Sequence, residues 1–211
     1  MNKPIQKQLT SENFCAWASK CQDGRYEFVD GEPWMIPEPT QRQNKIMKNV
    51  LAATDLFQRM NSFMATFGLD TFIRTPNDNF RRVDFGVMNL FPISKNMTSG
   101  ADTENGLEAQ CPIFAMMIVS QTRRCFDLIE KIEDLKKVKS LTHILLVDPD
   151  FPQVRFYNRS HGGQWTSQRV VGLKSSVIIP NIGIILTLSL LYEGVMFKAN
   201  PIRISQRSLE R

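Results

Sequence analysis

The chain reads as a mixed α/β fold, an α+β sheet flanked by helices, and three observations carry that reading. Two apolar runs, Ile113–Val119 and Ile144–Val147, have the length of buried strands. Between them lies a charged stretch with helical periodicity, residues 124–138, burying Leu128, Ile132 and Leu135. Strand, helix and strand in that order make a crossover unit, with parallel strands and a right-handed connection expected. The third observation is a set of short strand-like runs separated by Gly, Pro, Asn and Asp on both sides of this unit.

Taken in order, residues 1–9 form a polar arm. Thr10 or Ser11 caps a helix with Phe14, Trp17, Ala18 and Cys21 on its apolar face, and Asp23-Gly24 ends it. Tyr26–Val29 and Glu32–Ile36 pair as a hairpin around Asp30-Gly31, a strong two-residue turn signal. After Pro37–Thr40 a long helix is expected from Gln41 to Phe67, with Ile46, Val50, Ala53, Phe57, Met60 and Met64 at helical spacing and Gly68 as its C-cap. Leu69–Thr75 and Phe80–Asn89 read as an antiparallel pair around the turn 76–79.

Residues 92–110 are a long polar loop holding Asp102, Glu104 and Glu108. Beyond the crossover unit come strands 153–157 and 164–171, two short strands at 178–179 and 184–186, and a closing helix at 188–192. One domain is expected over 10–197, with a basic C-terminal tail at 198–211 bearing Lys198, Arg203, Arg207 and Arg211.

Composition narrows the class. Lys and Arg number 26 against 21 Asp and Glu, a net +5 that permits an anionic partner without requiring one. The cysteines at 15, 21, 111 and 125 form no Cys-x-x-Cys pair, so free thiols in a reducing cytoplasm are expected rather than a zinc or redox site. No basic-then-apolar leader opens the sequence. The uncharged stretch 177–192 is broken by Pro180, Asn181 and Gly183 and reads as strands, not a membrane span.

Asp84 sits between Val83 and Phe85 in an apolar strand, where a carboxylate needs a metal, a hydrogen-bonding partner or an ion pair with Arg81, Arg82 or Lys131. The motifs around it resemble the Uma-two family of bacterial restriction endonuclease-type proteins, assigned to the PD-(D/E)XK nuclease fold. Tyr26–Glu32 is similar to that family's Tyr-Glu-Leu-Val-Asp-Gly-Glu hairpin. Arg81–Val87 is similar to its Arg-x-Pro-Asp-Val-x-Val strand, and Phe126-Asp127-x3-Lys131 to its Asp-x3-Lys helix. Leu145–Asp148 and Leu191–Val195 resemble its later strand and closing segment, so the likeness runs in order over about 10–197.

The resemblance implies a restriction-endonuclease-like core with Asp84, Glu27 and Lys131 as catalytic residues, Asp84 as a metal ligand, and Mg²⁺ as cofactor if the site works. Such chemistry needs hard oxygen ligands converging on the cation and a lysine to orient water. The departures matter. Aligning Ser120 on the family's Val-Glu-Val-x-Ser strand puts Met117 where the glutamate belongs; Val83 replaces the motif proline; Gln43 stands where the long helix often has histidine. A thioether is uncharged and soft, a poor ligand for Mg²⁺.

Two readings follow. The first is a degenerate nuclease, weakened or inactive, that binds nucleic acid through Arg81, Arg82, Arg123, Arg124 and the tail, or binds a partner protein. The second is an active Mg²⁺-dependent DNA endonuclease using Asp84, Glu27 and Lys131. A homodimer is compatible with a fold that addresses two strands.

Overall fold

The computed structural model describes residues 9–90, 108–119 and 126–197, and for 126–128 the backbone alone. In chain order the elements are α1 (Ser11–Ala18), β1 (Arg25–Val29), β2 (Glu32–Ile36), α2 (Gln41–Met60), β3 (Met64–Gly68), β4 (Phe72–Arg74), β5 (Phe80–Arg82) and β6 (Phe85–Asn89). There follow β7 (Pro112–Ile118), α3 (Phe126–Lys137), β8 (His143–Val147), β9 (Gln153–Arg159), β10 (Trp165–Val171), β11 (Ser176–Ile179), β12 (Ile184–Thr187) and α4 (Leu188–Leu191).

The large sheet runs β10-β9-β8-β7-β6-β3, and only β7 and β8 pair in parallel, through α3. The crossover unit expected from the sequence is therefore its centre. Side chains alternate across it, as the two-residue period of a strand demands. Phe114, Met116, Leu145 and Val147 face one way, onto α2, β11, β12 and α4. Ala115, Met117, Ile144 and Leu146 face the other way, onto Ile132 and Leu135 of α3. The second sheet, β2-β1-β5-β4, carries its own aromatic core of Phe14, Phe28, Phe72 and Phe80 beneath α1.

Several boundaries differ from expectation. α2 stops at Met60, because the apolar residues that continue its spacing, Met64 and Phe67, belong to β3 at the edge of the large sheet. Gly68 accordingly ends a strand rather than capping a helix. Residues 80–89 are not one strand but two: β5 pairs with β1 and β4, β6 with β3 and β7. The chain changes sheets at Val83-Asp84. Gly86 leaves room for the Phe67 ring opposite it; a Cβ there would lie 2.2 Å from that ring. The Asp30-Gly31 hairpin forms with both residues at positive φ, as a two-residue turn requires.

The uncharged stretch is the hairpin β11-β12 leading into α4, and among the described residues no helix is long and apolar enough to cross a membrane. Cys21 lies just beyond α1, and Cys15, Cys21 and Cys111 are free. The polar segment 91–107, residues 120–125 and the basic tail fall outside the described residues.

Candidate active site

Asp84 sits where the chain leaves the small sheet for the large one. Its backbone N–H donates to Met116 O at 3.0 Å, and its Oδ2 accepts from the Ile118 N–H at 2.6 Å. These two bonds straddle Met117, which places Met117 directly beside Asp84. The Met117 side chain is 6% exposed and packs in the apolar cluster beneath α3. Burial raises the Asp84 carboxyl above the usual aspartate range, against the Ile118 N–H and the charges of Lys131 and Arg25, which favour its ionised form.

Glu27, on β1, is buried and held from three sides. Oε1 accepts from Lys131 Nζ at 2.6 Å and from the Arg82 backbone N–H at 2.8 Å. Oε2 accepts from Arg81 Nη1 at 3.3 Å. Burial alone would push its pKa up; Lys131 and Arg81 reverse the sign and hold it below the usual glutamate range. Arg81 in turn clasps Asp134 of α3, Nη2 at 2.6 Å and Nε at 2.9 Å from the same Oδ2, which also accepts from Asn79 Nδ2 at 2.9 Å. Lys137 Nζ completes the set on Oδ1 at 3.0 Å. Asp134 too is held below its usual range: burial opposes, and the bonds from Asn79, Arg81 and Lys137 outweigh it.

The structure thus brings Glu27 and Lys131 into contact and sets Asp84 beside Met117. It also corrects two expectations. Arg81 and Arg82 are not surface groups for phosphate: they are 5% and 7% exposed. Arg81 is spent on Glu27 and Asp134, while Arg82 donates to Tyr26 O and Leu69 O and stacks on Phe72. The second concerns the charged helical stretch 124–138, whose polar residues default to a solvated face: Asp134 is buried, and its place one turn after Lys131 and next to Leu135 was the signal for that. Arg123, Arg124, Asp102 and Glu104 lie outside the described residues. Glu108 bridges to Phe72, in the small sheet, where Arg74 is the charge acting on it.

Gln43 has a structural task. Its side chain accepts from the Thr40 N–H at 2.8 Å, capping α2, and donates to Ile118 O at 3.3 Å, fixing α2 to the end of β7. Val83, in place of a proline, is 1% exposed and packs with Met117.

Divalent metal is the ordinary cofactor of nucleases of this type, so the donor set must be tested against it. A hard cation needs several convergent oxygens. Here Glu27 is neutralised by Lys131 and Arg81, Asp84 has a methionine for a neighbour, and among the described residues no three His, Cys, Asp or Glu groups are gathered to hold a metal. The described residues do not fit the group.

A mixed sheet centred on one parallel crossover, with an aspartate at the start of the interior strand β6 and a lysine on the crossover helix, defines the restriction-endonuclease-like class. The model of the Uma2 family, described as "Putative restriction endonuclease", matches residues 11–189, and the chain belongs to that family. The crystal structure of a "putative nuclease belonging to DUF820" from Anabaena variabilis superposes with a TM-score of 0.69 at 16% identity, covering 89% of this chain and 99% of that one. At that identity the likeness is one of fold. No curated protein matches the chain.

Proposed function

We propose that this protein is a nuclease-fold nucleic-acid-binding protein whose metal-dependent cleavage is lost or strongly weakened. The observation that carries the reading is Met117, a buried thioether beside Asp84 where a second carboxylate would be needed. Without that carboxylate Asp84 faces a metal alone, and loss of one such ligand commonly costs orders of magnitude in rate. The chain's net charge of +5 suits a polyanionic partner. The whole segment 10–197 acts as one unit in this reading, the tail being an added basic arm.

Fluorescence anisotropy with duplex DNA, beside plasmid incubation in Mg²⁺ or Mn²⁺, tests it. The expected result is binding that weakens steeply with salt, as counterion release requires, and no nicking. Cleavage abolished by Asp84→Ala would overturn it in favour of a working endonuclease built on Asp84, Glu27 and Lys131. Absence of DNA binding would point instead to a protein partner.

A further inference from the structure

Sheet register lays a row of side chains from Asp84 to the open edge of the large sheet. Met117, beside Asp84, pairs with Leu146; Leu146 pairs with Arg155; Arg155 pairs with Arg169 on the last strand. Directly paired residues point to the same face, so both arginines share the face of Met117. The later part of α3 covers the next row, where Lys136 Nζ lies 5.0 Å over the Tyr157 ring and the Trp165 indole N–H donates to Lys136 O. Arg155 and Arg169 themselves are exposed.

Two like charges directly opposite in an antiparallel pair repel and cost stability. Arg169 bonds to the neutral amide oxygen of Gln153, which does nothing to offset that charge. The stretch that carries them is one-sided in sequence: from Phe151 to Tyr192 the chain has no Asp or Glu, yet it contains Arg155, Arg159, Arg169 and Lys174. Asp148 accepts from Gln153 Nε2 at 2.9 Å and so meets Arg169 through that amide. Over the whole chain acids nearly balance bases, 21 to 26, so the charge is segregated, not merely high. Across the strands, Met117 to Arg169 is on the order of 14 Å, close to the ~12 Å width of a DNA major groove. A duplex seated on the exposed arginines therefore lies about one groove width from Met117, which itself stays buried beneath α3.

We infer that Arg155 and Arg169 form a phosphate-contact strip that guides the backbone of a double-stranded nucleic acid along the sheet edge toward Asp84. The inference rests on the nucleic-acid reading above and assigns its contact residues, in place of the buried Arg81 and Arg82. Such contacts position a duplex without reading its sequence.

The test is anisotropy of the full chain on duplex DNA across a salt series. It compares the parent, the double variant Arg155→Gln/Arg169→Gln, and the exposed control Arg59→Gln on α2. The double variant should show a log–log salt slope shallower by about 2. Arg59→Gln should keep the parent slope, and thermal unfolding should show the double variant at least as stable as the parent. An unchanged slope in the double variant, with the parent binding normally, would overturn the strip alone. No binding by the parent would overturn the nucleic-acid reading and the strip with it. Parent affinity for poly-glutamate equal to that for the duplex would overturn the assignment in favour of an acidic protein.

Discussion

Arg81 and Arg155 are the same side chain on neighbouring parts of one fold, and they do opposite work. Arg81 lies at the seam between the small sheet and α3, 6% exposed at its side chain, with Glu27 and Asp134 both on its guanidinium. Arg155 stands in the open, opposite another arginine, in a stretch free of acids. The difference shows that a basic residue's role in this protein is set by where the acids are. Buried, the charge ties β1, β5 and α3 together; exposed on β9, it stands opposite a like charge on β10.

The largest effect should come from breaking the buried set. Arg81→Met takes the guanidinium from Asp134 and leaves Glu27 to Lys131, and removing one member of a buried ion cluster costs about 3–5 kcal/mol. Arg155→Gln should stay within about 0.5 kcal/mol of the parent. Urea unfolding of the two variants measures the contrast directly, and equal midpoints would erase it.

Met117→Glu comes next. It places a carboxylate in an apolar cluster with no assigned partner, a change worth about 1–3 kcal/mol of destabilisation at neutral pH. If the new carboxylate joins Asp84 around a cation, saturating Mn²⁺ should raise the variant's melting temperature through linkage while leaving the parent's unmoved.

The pH dependence separates the two carboxylate environments. Glu27 and Asp134 have folded pKa values below their unfolded ones. Their contribution is therefore complete above the ordinary carboxylate range and is lost as pH falls through the depressed values. Glu27→Gln should flatten this acid limb in unfolding measured from pH 6 to 2. Asp84 has the opposite sign: its raised pKa means its share of stability grows as pH falls toward the ordinary aspartate value.

The smallest effect is Asp84→Asn, which keeps an acceptor for the Ile118 N–H and removes a buried charge. Its stability at pH 7 should equal or exceed the parent's, and the gap should close as the parent's Asp84 protonates on acidification. A loss of several kcal/mol at pH 7 would mean that the charge itself is structurally required.

Much of this was legible in the chain. The crossover β7-α3-β8 follows from two apolar runs around an amphipathic helix, and the family likeness rests on motifs that keep their order. That Met117 stands where the family's glutamate belongs was implied by the resemblance alone; its place beside Asp84 comes from the pairing of β7 with the start of β6. The errors share a cause: local pattern does not record which sheet a segment joins. Met64 and Phe67 continue a helical spacing yet sit in β3, and Arg81, Arg82 and Asp134 have polar side chains that only the meeting of two sheets and a helix could bury. Arg155 and Arg169 lie on two consecutive strands that the sequence marks, but that they stand opposite one another is fixed only by the register of the pair.

The central claim is that Met117 beside Asp84, with Glu27 already neutralised by Lys131 and Arg81, leaves no working site for a divalent cation among the described residues. Calorimetric titration of Mg²⁺ and Mn²⁺ into the parent, Asp84→Ala and Met117→Glu tests it most directly. The account predicts no saturable heat for the parent or Asp84→Ala, and binding gained by Met117→Glu. Stoichiometric binding by the parent that Asp84→Ala abolishes would contradict it.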